Sequence, residues 1–405
     1  MCVQHYPNKK NKYSSIILYL IAILLGVYSG LSGIEFLQNF GLLISDIFIK
    51  IFKCISLPII ALSIIVTLSS YAAEESMQKI WQRTIFYTLS TTIVAASVAC
   101  GLYMIIKPEN VGLLDSSVIA PTVSKVNYID HLMNLIPSNI FSPFLDHQVM
   151  GVLLVGMVMG IAIRYIKEDA PRKSIADFFK GAHGIFIIIT GWIVAVIPLG
   201  LYGFITATVV QLKEGMEIQG ITQYLAIVVL ANVIQGFVVL PIWLKMNKIK
   251  PFVTMRAMLP ALSLAFFSKS STGTLPVTIE TIEKNLGVKP KISRFILPLC
   301  TTINMNGCAA FIFATVIFVM QNNGIEISFL TMIIWIFIAT IAAVGNAGVP
   351  MGCFFLSASL LASMNVPITL LGIILPFYSI IDMIETSLNV WSDACVTKVV
   401  DSKIK

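Results

Sequence analysis

Residues 327–381 read Ile327-SFLTMIIWIFIATIAAVGNAGVPMGCFFLSASLLASMNVPITLLGIILPFYSI-Ile381, 55 residues without one Asp, Glu, Lys or Arg. A helix that crosses a bilayer uses about 20 such residues. The stretch is therefore too long for one crossing. Near its middle stands Gly345-Asn346-Ala347-Gly348-Val349-Pro350, which cannot continue as regular helix. Non-helical backbone at membrane depth persists only where protein buries it or where it lines a cavity. The stretch predicts a re-entrant hairpin at about 330–362, followed by a span at about 368–400.

A second broken segment lies at 257–285, with apolar arms around Ser268-Lys269-Ser270-Ser271-Thr272-Gly273-Thr274-Leu275-Pro276. It predicts another hairpin with a polar tip. Seven further uncharged runs, 13–34, 54–73, 84–106, 147–163, 181–212, 218–244 and 295–325, supply spans one to seven. The whole composition agrees. Of 405 residues, 57% are hydrophobic and 12% charged, where soluble domains hold about 25% charged residues. Mean hydropathy is +0.89. These values exclude a cytosolic enzyme, a disordered scaffold and a nucleic-acid binder. The seven cysteines form no CxxC pair, and the four histidines form no HExxH pattern. Lys9, Lys10 and Lys12 precede the first run and no cleavage site follows it, so it reads as a retained span.

Loop charges orient the chain. Basic residues gather at 9–12, 164–180, 245–256, 284–294 and 398–405, whereas 107–148 and 213–217 hold few and 322–329 holds none. Placing the basic loops inside leaves both termini cytoplasmic and makes eight spans. The hairpin at 257–285 then enters from the cytoplasm and the one at 330–362 from outside. Opposed hairpins imply inverted repeats and a transporter with its site at the midplane. The expected fold is thus an all-α multi-pass protein of a cell (inner) membrane, with eight transmembrane helices and two re-entrant hairpins. Its partners are the lipid bilayer and a small-molecule substrate, not nucleic acid.

Ionisable groups inside a membrane are costly and point to function. The last span carries Asp382, Glu385, Thr386, Asn389 and Asp393, spaced so that all five share one helical face. A lone carboxylate could be half of a buried ion pair. Three with an amide call for cations, protons or a polar substrate. The seventh span holds Thr301-Thr302-Ile303-Asn304-Met305-Asn306-Gly307-Cys308 inside an uncharged run, which predicts locally unwound helix. Its oxygens suit Na⁺, or its amides bond between helices as structural glue. Tyr87, Ser90 and Thr91 form one helical turn of hydroxyls, a weak signal because such hydroxyls often bond back to their own helix.

Taken in order, these residues resemble the dicarboxylate/amino acid:cation symporter family, the glutamate transporter homologues. The resemblance covers nearly the whole chain and rests on four motifs: Gly273–Thr278, Asn304–Cys308, Gly345–Pro350 and Asp382–Asp393. It implies a homotrimer. It also implies a scaffold mainly from spans one to six at 13–246, with span three in the transport part, and a moving transport core at 253–402. That core holds hairpin one, span seven (about 294–321), hairpin two and span eight. By position it implies that Asp382 binds a substrate ammonium. Ser271, Cys308, the carbonyl of Val349, Glu385, Thr386 and Asn389 fall on other substrate contacts. Asn304, Asn389 and Asp393 fall on one sodium site. Thr302, Ala343, Val344 and Asn346 fall on a second. Tyr87, Ser90, Thr91, Asn304 and Asn306 fall on a third.

Three positions depart from the family pattern. Glu385 stands where the family has an Arg that grips a side-chain carboxylate, so acidic substrates are repelled. Asn306 replaces an Asp of the third sodium site, and Cys308 replaces a Thr. The expected function is cation-coupled symport of an amino acid or related small carboxylate, with Na⁺ as the coupling ion and no other cofactor. A proton-coupled carrier of the same fold is the nearest rival, and a ligand-binding sensor or channel that does not cycle is the rival from another class. No nucleophile–base pair is visible, so an enzyme is not expected. The partner of Glu385 decides between substrates: an ion pair with Lys269 favours a neutral amino acid, the preferred expectation, and a free Glu385 favours a cationic one.

Overall fold

The computed structural model describes residues 9–69, 75–111, 137, 139–145, 149–213, 219–346, 351–364 and 366–404. Among these residues there are helices and no strand. In chain order they are α1 (Lys9–Leu31), α2 (Glu35–Ser69), α3 (Glu75–Ile106), α4 (Val149–Arg164), α5 (Asp169–Lys213) and α6, which spans Gln219–Met246. Then follow α7 (Pro251–Ser268), α8 (Ser271–Leu286), α9 (Pro290–Ile303), α10 (Asn306–Asn322), α11 (Phe329–Val344), α12 (Gly352–Ser363) and α13 (Thr369–Lys403). A single short turn at Ser142–Leu145 precedes α4. Among the described residues, helix lies over each of the eight expected spans, interrupted at Asn304 and Met305 in the seventh.

By length and composition, five described segments suffice to cross a membrane: Lys79–Ile106, Gln219–Met246, Pro251–Ser268, Pro290–Asn322 and Thr369–Lys403. Several helices outrun the uncharged runs that announced them. α2 starts at Glu35 rather than near 54, and α5 starts at Asp169 rather than near 181. An uncharged run marks the part of a helix that lipid would cover, and the helix continues into its polar ends.

Local chemistry sets the hairpins. α7 ends at Lys269, whose left-handed backbone (φ 54°) turns the chain. Ser270 then caps α8, its hydroxyl accepting from the Gly273 amide at 3.0 Å. The two arms pack along each other. Pro251 and Pro290 start α7 and α9, where a missing N–H costs nothing. In the second hairpin, Ser328 caps α11 by accepting from Thr331 at 3.1 Å. Its arms touch each other little, and both pack on α10 instead.

α10 is the hub. Every residue from Asn306 to Met320 is buried, as expected of a helix that is apolar all round. α3, α6, α11, α12 and α13 surround it. On the other side, α1, α2 and α4 pack with α5. α13 meets α5 where Gly372 lies against Phe204; a Cβ at Gly372 would stand 2.8 Å from that ring. Large apolar side chains such as Leu24, Phe36, Trp192 and Phe237 remain exposed on outer faces, which is how a lipid-facing surface reads.

Candidate substrate and cation site

The break between α9 and α10 lies at Asn304 and Met305, which have non-helical backbone angles (φ −100°, ψ 67° and φ −104°, ψ 66°). The unwinding expected from Asn304-Met305-Asn306-Gly307 is present. It lets two amides approach α13 side by side. Asn304 donates from Nδ2 to Asp393 Oδ1 and to Ser392 Oγ, both at 2.9 Å. Asn306 donates from Nδ2 to Asn304 Oδ1 at 2.9 Å and to Ser392 Oγ at 2.8 Å. Thr91 of α3 donates its hydroxyl to Asn304 Oδ1 at 3.2 Å. Gln235 of α6 closes the cluster, donating from Nε2 to Asn306 Oδ1 at 2.7 Å and to the Thr91 carbonyl at 3.1 Å. Thr91, Gln235, Asn304, Asn306, Ser392 and Asp393 are all buried.

Gln235 reaches this point because α6 takes one π-helical turn at Gln235–Val239. Such turns often mark functional positions. The turn's carbonyl at Gly236 is not left bare, since the Trp391 indole N–H donates to it at 3.1 Å. Gln235 and Ser392 are the members that motif reading missed. Their signal was available: Gln235 is an amide inside the uncharged run 218–244, and Ser392 adjoins Asp393.

The expected hydroxyl turn on α3 does not converge. Only Thr91 joins the cluster. The Tyr87 hydroxyl accepts from Lys403 Nζ at 2.8 Å, and its ring lies under that ammonium at 5.0 Å. Ser90 bonds back to the Phe86 carbonyl at 2.6 Å. Thr302 does the same to Leu299 at 2.8 Å. In the same region the Ala343 carbonyl accepts from the Asn346 amide at 3.1 Å, and Val344 closes α11. Val349 lies outside the described residues.

Starting one helical turn earlier on α13, six of the seven proposed substrate contacts surround a single cavity. Ser271, Cys308, Asp382, Glu385, Thr386 and Asn389 line it together with Lys269 and Asn346. The two hairpins supply Lys269, Ser271 and Asn346, and α10 and α13 supply the rest. The free volume is about 10 Å³, room for about one water molecule. An amino acid enters only if the lining elements part. Asp382 Oδ2 accepts from the Met351 amide at 3.2 Å, which ties the start of α12 to α13. Asn389 Oδ1 accepts from the Gly307 amide at 2.9 Å and so fixes the first turn of α10. A disulfide joins Cys308 to Cys353 across α10 and α12, with Cα atoms 5.4 Å apart. The Asn346 amide donates to both sulfurs. Its carbonyl oxygen lies so close to Gly352 that any Cβ there would collide.

The expected ion pair between Lys269 and Glu385 does not form. Lys269 donates to the Ser379 hydroxyl, and the carboxylate that acts on it through space is Asp382. Glu385 is 1% exposed. Its Oε2 accepts from the Tyr378 hydroxyl at 3.3 Å, and its Oε1 has no hydrogen-bond partner among the described residues. The reason is positional: Ser379 lies one turn before Asp382 on α13, so the lysine is taken up short of Glu385.

Apolar helices around a buried polar stripe are the architecture of a multi-pass membrane protein. The family model described as the sodium:dicarboxylate symporter family matches residues 16–403. The chain belongs to that family. It is 25% identical to rabbit (Oryctolagus cuniculus) "Neutral amino acid transporter B(0)" over 86% of this chain and 71% of that protein. It is 27% identical to Homo sapiens "Neutral amino acid transporter A" over 86% of this chain and 73% of that protein. It is also 27% identical to the Caenorhabditis elegans "Putative sodium-dependent excitatory amino acid transporter glt-4", over 88% and 81% respectively. Membership of that family makes the chain a secondary transporter of the membrane.

Proposed function

We propose that the chain is a Na⁺-coupled amino-acid symporter of the cell membrane, working as a homotrimer with both termini cytoplasmic. Spans one to six, apart from span three, form the scaffold. The hairpins with spans seven and eight form the moving core. Asp382 holds the α-ammonium, Asn389 and Thr386 receive the α-carboxylate, and Asp393 with Asn304 receives the cation. Glu385 turns acidic substrates away.

The observation that carries this reading is the single face of α13. It presents Asp382 and Glu385 to a cavity under both hairpins and Asp393 to the amide of Asn304. Buried carboxylates without a resident cation are costly, and a transported cation meets that cost at each turn of the cycle. The family description and a relative's name both carry sodium, and the relatives' names carry amino acids. The test is uptake of labelled amino acids into proteoliposomes with an inward Na⁺ gradient, an inward proton gradient, or neither. Uptake driven by Na⁺ alone is expected. Uptake that ignores Na⁺ and follows the proton gradient sinks the Na⁺ reading, and ligand binding without exchange marks a sensor.

A further inference from the structure

The cavity holds an uneven set of charges. Asp382 and Glu385 line it, and Lys269 is the one lysine or arginine that lines it among the described residues. Lys269 donates to the Ser379 hydroxyl, and it feels the charge of Asp382 without forming an ion pair with it. That leaves Glu385 buried, held among the described residues by the Tyr378 hydroxyl, with Oε1 unpartnered there. On the same wall Asn346 donates from Nδ2 to Cys308 and Cys353, and its Oδ1 has no partner among the described residues.

Asn346 Oδ1 is an acceptor, and so is Glu385 Oε1 in the ionised carboxylate. A buried carboxylate with neither counter-charge nor full hydrogen bonding is among the most costly arrangements in a membrane protein. An aliphatic side chain on the substrate supplies nothing to it. A hydroxyl supplies one donor and no charge, and a carboxylate repels it. An ammonium or guanidinium supplies both the charge and several donors. The charges lead to the same ligand. Lys269 balances Asp382, and the α-ammonium and α-carboxylate of an amino acid balance each other. Glu385, when ionised, then selects a ligand of net charge +1, since a cationic group is what would hold it in that form.

We propose that this transporter takes α-amino acids with a second cationic group on the side chain, the class of lysine, ornithine and arginine, and that Glu385 holds that group. The inference rests on the amino-acid symport reading. It departs from the neutral and excitatory substrates in the relatives' names, and it does so through the one substrate-lining position where an Arg of the family pattern has become an acid.

The test uses the purified full chain in voltage-clamped proteoliposomes under one Na⁺ gradient. Uptake efficiency is compared for L-lysine, L-ornithine, L-arginine, L-serine, L-alanine and L-aspartate. At least one cationic amino acid is expected to exceed serine and alanine at least tenfold, with aspartate lowest. In Glu385→Gln the lysine-to-serine ratio falls at least tenfold. Thermal stabilisation of the purified wild-type protein by lysine over serine provides a second measurement that does not depend on the variant folding. Serine or alanine exceeding every cationic substrate, or a ratio that Glu385→Gln leaves unaltered, overturns the inference while transport itself stands. Failure of every amino acid to move under any gradient removes the symport reading and this inference with it.

Discussion

The main-chain amide of Met351 donates to Asp382 Oδ2 at 3.2 Å, so the returning arm of the second hairpin starts on a carboxylate of the last span. Met351 holds a left-handed backbone (φ 63°), a conformation that costs a non-glycine residue about 1–2 kcal/mol. A hydrogen bond to a charged group contributes about 1.5–3 kcal/mol, enough to offset it. Asp382 thus has two tasks, holding α12 and offering charge to a substrate. Asp382→Ala removes both, and uptake efficiency is expected to fall at least roughly tenfold to a hundredfold. Asp382→Asn keeps an acceptor for Met351 but lacks the charge. Uptake kinetics of Asp382→Asn equal to wild type would show that the charge is not used for the α-ammonium.

Asp393 is reached by the amide of Asn304 and otherwise lies buried. Its charge is the natural counterpart of a coupling cation. Asp393→Asn should abolish Na⁺-driven uptake while leaving the helical structure in place, because Asn304 can still find an acceptor there. The measurement pairs flux under a Na⁺ gradient with circular dichroism. Undiminished Na⁺-driven flux in a folded Asp393→Asn protein would assign the cation elsewhere.

Long-period features were legible in the sequence, and side-chain partnerships were not. Gly345–Pro350 signals the second hairpin by breaking an apolar run too long to cross once, and Ser268–Pro276 signals the first as a polar stretch between two apolar arms. The break at Asn304 was legible for the same reason: polar residues followed by glycine within a span. The α13 face was fixed by helical periodicity alone. Lys269 was different. Sequence spacing cannot say whether a long flexible side chain stops at Ser379 or reaches Glu385, since the choice depends on how α7 and α13 cross. Likewise Tyr87, Ser90 and Thr91 share a turn, but only Thr91 faces the break in span seven. Gln235 came into the cluster through a π turn, and nothing in the 3.6-residue period announces one.

Basic-loop asymmetry predicts the sidedness of the loops. Lys173 lies in the polar first turns of α5 and Lys248 between α6 and α7, both in basic stretches, and Asn323 sits in the loop between α10 and α11, where the 322–329 stretch has no basic residue. In cells carrying single cysteines at these positions, an impermeant thiol reagent applied outside should label Asn323→Cys and spare Lys173→Cys and Lys248→Cys. Labelling of Asn323→Cys from the cytoplasmic side only would reverse the second hairpin.

Gln235 and Asn306 set the last expectation, the number of ions carried. Gln235 Nε2 points at Asn306 Oδ1 and at the Thr91 carbonyl, while Asn306 Nδ2 points at Asn304 Oδ1 and Ser392 Oγ. Two NH₂ groups therefore occupy oxygens that a cation would need, and the acid found here in the resembling family is absent. Amide donors satisfy those oxygens without importing a charge. The wild-type protein should carry fewer Na⁺ per substrate than family members with the acid. Asn306→Asp restores the negative charge, so its Na⁺ dependence of uptake should steepen by about one ion, and Gln235→Ala combined with it should steepen further or bind Na⁺ more tightly. The stoichiometry is read from the membrane potential that stops net flux at a series of Na⁺ ratios. A wild-type value equal to that of acid-bearing relatives would mean that the amide cluster opens during transport to admit the ion.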